Sequence, residues 1–289
     1  MEGLKKLFLP ITATLGFIQN HFKAMVFVLI VFLIFAPTDS QDLRQVNLQQ
    51  ISLKGPIFDT TELVEMIDEA RENKHIKGVL LNVDSPGGAV APSLEVAYAI
   101  KRLKAEKPVV VYASGTLASG SYYASIWADE IIANPGSMVG SIGVIMQGAN
   151  LSELMEKIGI SSQVIKAGKY KQVGTADREW NEDEKEELNK VIQGTYQMFI
   201  QDVAEARGLD INQSDHYANA HIFTAAQAKA VGLIDTLGVS YDAKRRVEKL
   251  SEVTDPAWNK EDKFEKFMRT LGAEGSMLIH TYFPAYSLR

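Results

Sequence analysis

From Val46 onward, short apolar runs alternate with single amphipathic stretches. Val46 to Leu53 alternates polar and apolar positions, the period of a strand with one buried face. Asp59 or Thr60 then stands where a helix N-cap belongs, and Leu63, Ile67 and Ala70 share one helical face running to about Glu72. Lys77 to Val83 reads as a compact apolar strand that ends in the turn Asp84-Ser85-Pro86-Gly87-Gly88. A helix from Pro92 to Ala105, a strand from Pro108 to Ala113, a helix starting near Ser119 and a strand from Glu130 to Ala133 follow. Asn181 with Glu184 three residues on predicts a capping box, opening a helix to about Ala206. Further helices are predicted over Phe223 to Ile234 and Ser240 to Lys249. Strands separated by single helices imply an α/β fold, a parallel sheet with crossover helices.

The N-terminus breaks this pattern. Ala24 to Ala36 is thirteen consecutive apolar residues, closed by Pro37-Thr38-Asp39-Ser40. The run is short for a hydrocarbon core of roughly 30 Å, but Phe22, a snorkelling Lys23 and local thinning make spanning feasible. Leu7 to Ile18, interrupted by Pro10, Thr12 and Thr14, reads as an interfacial helix. Lys5, Lys6 and Lys23 precede the span and acidic residues follow it, so an uncleaved anchor with a cytoplasmic N-terminus and an exported body is expected. That orientation implies single-pass residence in a bacterial-type inner (plasma) membrane, with the body on the extracytoplasmic side. The expected division is an anchor region over 1–37, a linker over 38–44, a main domain over 45–251 and a tail over 252–289. The tail closes on an apolar, aromatic peptide from Ser276 to Arg289, suited to packing on a neighbour or to filling the chain's own groove.

Composition narrows the function classes. The net charge is −6 and no basic cluster is present, which argues against nucleic acid as a partner. With no cysteine, disulfides, thiolate metal ligands and a thiol nucleophile are all excluded. No metal site or cofactor is predicted.

Hydroxyl chemistry remains. Ser114, Ser119, Ser121 and Ser125 lie close together, and composition alone does not choose among them. Ser119 sits between Ala118 and Gly120, where a strand has ended and a helix begins. There a hydroxyl can be exposed beside the next backbone N–H. Serine needs a base, and a lysine serves if burial disfavours its ammonium form. Lys169 and Lys171 have equal parity in what reads as an extended segment near a strand end, so both could face one side. Gly87 and Gly88 would let backbone N–H groups approach an acyl oxygen, and Ser141 could hydrogen-bond a buried lysine. None of the five histidines stands in a motif.

These stretches, in this order, resemble the signal peptide peptidase A family in its short single-repeat form, within the Clp protease/crotonase superfamily. The resemblance runs from Val46 to Gly238. It is carried by Asp84 to Gly88, Ala118-Ser119-Gly120-Ser121-Tyr122-Tyr123, Gly140-Ser141-Ile142-Gly143-Val144, Ala167 to Lys171 and Phe223 to Asp235. It implies a crotonase/Clp-protease-like fold, Ser119 as nucleophile and Lys171 as general base. It also implies Ser141 as the residue orienting that lysine, and the N–H groups of Gly88 and Gly120 as oxyanion hole. The implied activity is a serine endopeptidase with a Ser-Lys dyad, acting through an acyl-enzyme on hydrophobic peptides such as cleaved signal peptides at the membrane. A homo-oligomeric ring is likewise implied. Ser121 stands where the family commonly has glycine, leaving a rival hydroxyl, and Ala176 where proline is common. Two other classes share the fold: a crotonase-like acyl-CoA enzyme and a catalytically silent membrane scaffold. Neither has a use for both Ser119 and Lys171.

Overall fold

The computed structural model describes residues 45–259, with residue 19 and a helical stretch over residues 21–29. Gln45–Asn259 form a compact unit of their own. The predicted interfacial helix, most of the anchor, the linker and the tail beyond Asn259 lie outside the described residues. No helix among the described residues is long and apolar enough to cross a membrane.

The unit is built on a sheet of seven strands, as expected for an α/β chain. Strands β1 (Leu48–Lys54), β2 (Gly78–Ser85), β3 (Val109–Ala118), β4 (Glu130–Ala133) and β7 (Thr236–Leu237) lie side by side in that order, all parallel. Side-chain parity sorts the apolar residues onto two faces. Val79, Leu81, Val83, Val109 and Val111 join one core cluster, while Leu80, Val110 and Tyr112 join another on the opposite face. Helices α1 (Thr61–Glu72) and α2 (Val90–Lys104) cover the first face through Leu63, Ile67, Ile100 and Leu103. Each such large side chain, fully buried, contributes about 1.5–3 kcal/mol. The last helix, α7 (Ser240–Leu250), covers the other face through Ala243 and Val247, one helical turn apart.

β3 is longer than the sequence suggested, and its extra length builds the site. Val110–Ala113 pair with β4, but Thr116–Ala118 turn away and pair with β5 (Met138–Gly140). The register against β2 shifts between Val83 and Ser85, which accommodates this change of partner. β3 therefore delivers its last residue between β2 and β5, directly before helix α3 (Gly120–Ser125). After β5 come α4 (Ser152–Lys157) and the long helix α5 (Glu182–Arg207), which opens on the predicted Asn181–Glu184 capping box.

Two expected elements differ. Phe223 to Ile234 is not one helix: Ile222–Thr224 form strand β6, antiparallel to β5, and α6 covers only Ala225–Ala230. Pairing of Phe223 with Val139 draws the first residues into the sheet, and a Thr224–Gln227 capping box starts the helix afterwards. Lys169 and Lys171 lie in consecutive turns over residues 167–174, not in an extended segment, so the parity argument does not apply to them.

Candidate active site

Ser119 stands at the junction of β3 and α3 with φ 53° and ψ −125°, a conformation that a non-glycine residue adopts only under constraint. The constraints are visible. Its N–H donates to Gly140 O at 2.8 Å, and its carbonyl accepts from Tyr123 N at 3.0 Å. This is the geometry of a sharp strand-to-helix turn that lifts a serine hydroxyl clear of the sheet. The Ser119 hydroxyl caps no amide of the helix that follows it. The neighbouring serines are already engaged. Ser121 is fully buried: its Oγ accepts from Ala118 N at 2.9 Å, with Ser85 O (2.7 Å) and Ala118 O (2.9 Å) as alternative acceptors for its proton. Ser125 donates to Ser121 O, and Ser114 to Val83 O. Ser121 is thus a clamp that ties β2 to the turn, which leaves Ser119 as the candidate nucleophile among the four.

The loop after β2 closes on this turn. Ile57 brackets it, its N–H donating to Gly87 O at 2.9 Å and its carbonyl accepting from Ala89 N at 2.7 Å. Nothing larger than glycine fits here. A Cβ on Gly88 would lie 2.1 Å from Ile57 O, and one on Gly120 would lie 2.2 Å from Ser93 Oγ and 3.3 Å from Gly88 N. The two backbones are packed against each other for that reason. Among the described residues neither Gly88 N–H nor Gly120 N–H meets an acceptor. Two free amides beside a half-buried serine that lines the cleft are the parts an oxyanion hole requires.

Gly88, Ser119 and Gly120 line a small cleft of about 80 Å³, whose other walls are largely apolar: Val90, Tyr123, Val144, Ile145, Met198 and Phe199. Tyr123 packs on Phe199 with ring centroids 4.5 Å apart and donates its hydroxyl to Asp202. Burial and that carboxylate both push the phenol pKa upward, so Tyr123 stays neutral and holds α3 to α5. Sequence reasoning missed this wall. The signal was present as Thr195, Met198, Phe199 and Asp202, one helical face at spacings of three and four.

The lysines are not in the cleft. Lys171 is exposed, on a turn whose Lys171 N–H donates to Gly168 O, and Lys171 Nζ has no hydrogen-bond partner among the described residues. Lys169 is also exposed, and its ammonium pairs with Asp183 at 2.7 Å. The Asp183 hydrogen bond, followed by that to Tyr170, raises its pKa and favours the charged form, the wrong state for a base. Ser141 is half-buried with φ 49°, its N–H donating to His221 O. Within one copy of the chain, Ser119, Gly88 and Gly120 come together, whereas Lys171 does not reach them. Residues 144–180, which carry both lysines, are mostly exposed and include Ile145 (82%) and Ile165 (106%) at the surface.

The profile of peptidase family S49 matches residues 101–254, more than half of the chain. The chain belongs to peptidase family S49. A candidate protease of Methanocaldococcus jannaschii is 43% identical over 198 residues, covering 68% of this chain and 64% of that protein. The chloroplast serine protease SppA of Arabidopsis thaliana is 34% identical over 189 residues, covering 65% of this chain and 28% of its own length. The chain spans less than two thirds of the length of three curated relatives it matches, with shares of 64%, 63% and 65%. In structure it resembles a membrane-bound stomatin-specific protease, with a TM-score of 0.51 at 14% identity over 76% of this chain and all of that one. At that identity the likeness speaks for the fold alone.

In this S49 chain His75, His216 and His221 are exposed, and none of them lines the Ser119 cleft. The clamp at Ser121 carries a prediction. Ser121→Ala strands the buried Ala118 N–H and a buried carbonyl, and is expected to destabilise the protein by about 1–3 kcal/mol. Denaturant unfolding reads this directly; an unshifted midpoint would mean that the clamp bears no part of the fold.

Proposed function

We propose that this S49 chain is a membrane-associated serine endopeptidase with a Ser-Lys dyad, cleaving hydrophobic peptides such as residual signal peptides. The observation that carries the reading is Ser119 held at φ 53° between two acceptor-free amides in an apolar cleft. Ser119 Oγ attacks the scissile carbonyl while neutral Lys171 takes its proton. The carbonyl oxygen gains negative charge and is received by Gly88 N–H and Gly120 N–H, each worth about 3 kcal/mol in the transition state. Collapse of that intermediate, with the lysine proton passing to the leaving amine, gives an acyl-enzyme. Water then repeats the attack and releases the acid. Ser141 orients the lysine once it is in place. No cofactor enters this sequence.

Lys171 reaches Ser119 from a neighbouring copy in a ring. The exposed segment over 144–180, with apolar residues along it and an unpaired Lys171 Nζ, supports that arrangement. The serine protease among its relatives supports the activity class, and the apolar walls of the cleft support the substrate preference. The expected residence is the inner membrane, with the N-terminus cytoplasmic and the unit over 45–259 on the extracytoplasmic side.

The test uses the full chain in detergent with fluorogenic peptides that are either apolar with small residues or acidic. Turnover of the apolar peptide, and not of the acidic one, is the expected result. Equal turnover of both peptides would remove the substrate assignment, and no turnover of either would remove the protease reading.

A further inference from the structure

One charged side chain among the described residues is fully buried, and the proposed chemistry does not use it. Glu184 is 2% exposed, although the segment before it is open to solvent. A capping box works with its glutamate at the surface, so burial here serves something else. Burying a carboxylate is unfavourable unless it is paired and its remaining lone pairs are filled. Both conditions hold. Arg178 grips it with two bonds, Nη2 to Oε1 at 2.5 Å and Nη1 to Oε2 at 2.8 Å, and Asn181 N–H donates to Oε2 at 3.1 Å. The Arg178 bonds hold the Glu184 carboxyl down to about 2, so the pair is charged above that and is lost only as pH falls through it.

The arginine has a further reach. Arg178 Nη2 also donates to Gln172 O at 3.4 Å, the carbonyl of the residue after Lys171. Trp180 Nε1 donates to Thr175 O at 2.7 Å, tying the same turn a second time. We propose that Arg178 and Glu184 are positioning residues for Lys171, fixing its turn to the N-terminus of α5. This inference rests on the reading of Lys171 as base. A planar fork held at two points aims its remaining N–H in a fixed direction, which an ammonium does not do. At its other end α5 carries Met198 and Phe199 of the cleft wall, 14 and 15 residues along the same rigid helix. One helix thus walls the cleft of its own copy and carries the turn that presents the lysine to the next.

The experiment compares Arg178→Lys and Glu184→Gln with Lys171→Ala, in the full chain with the apolar peptide. Gly208→Ala serves as a stability control, because it strains the C-terminal end of the same helix, where Gly208 has φ 63°. Both positioning variants are expected to lower kcat between about ten- and a hundredfold with KM unchanged, the scale of a misplaced catalytic group. The pH of half-maximal turnover should also move, while Gly208→Ala lowers Tm and leaves both readouts alone. Wild-type kcat and pH profile in Arg178→Lys and Glu184→Gln, with Lys171→Ala inactive, would overturn the inference and leave the Ser-Lys reading standing. A loss of kcat that only tracks a fall in Tm, shared by Gly208→Ala, would overturn it equally. Turnover by Lys171→Ala would instead remove the base assignment, and the inference with it.

Discussion

Ser119→Ala should reduce peptide hydrolysis by at least about 10⁴-fold, with circular dichroism and Tm close to wild type. The size follows from the role. A nucleophile that forms the acyl-enzyme has no ready substitute, since the other cleft hydroxyls, Ser93 and Thr195, donate to backbone carbonyls and Ser121 and Ser125 are buried in the turn. Stability should hold because Ser119 Oγ caps no helix amide and the residue is only half-buried. Alanine also accepts φ 53° no better than serine does, so a small fall in Tm is compatible with the account. Residual turnover within tenfold of wild type would move the nucleophile elsewhere.

The second large effect concerns where the base comes from. Lys171→Ala should be as inactive as Ser119→Ala, yet rings assembled from both variants together should recover activity. When the two are co-expressed in equal amounts, roughly a quarter of the sites pair an intact serine with an intact lysine from the adjacent copy, if the interface is head-to-tail. Recovery toward that fraction would mean that the dyad spans two copies. No recovery, in rings shown to contain both variants, would place both residues in one copy. The exposed turns around Lys171 would then have to fold back onto the cleft, which the same segment now meets only through Val144 and Ile145.

The sheet and most of its helices were legible because burial on two faces leaves a plain sequence trace. Val79 to Leu81 and Val109 to Val111 are uninterrupted apolar runs, and α1 buries the three residues that its period predicted. The Asn181–Glu184 capping box was legible as a local hydrogen-bond pattern. The division of residues 222–234 between β6 and α6 was not, because antiparallel pairing with β5 is a contact across more than eighty residues. At the site, the serine, the glycine pair and the turn they build could be read, since their small size is the physical requirement. The family resemblance points to Ser119, and the structure adds that Ser121 Oγ is buried and bonded to Ser85 O and Ala118 O. Lys169 and Lys171 stand in turns rather than in the extended segment the sequence suggests, so their equal parity does not place them on one side. Parity carries no information in a run of turns, and under the proposed arrangement the lysine acts in another copy and leaves no trace of its target in its own surroundings. The Arg178–Glu184 pair was hidden for a related reason, since charged residues near a helix start ordinarily face solvent.

The most direct test of the central claim is to label the wild-type protein with a serine-directed fluorophosphonate and map the adduct by peptide mass spectrometry. The account predicts a single covalent adduct on Ser119, absent from Ser119→Ala and strongly reduced in Lys171→Ala. An adduct on Ser121 or another serine, or labelling of Ser119 that is indifferent to Lys171, would contradict it.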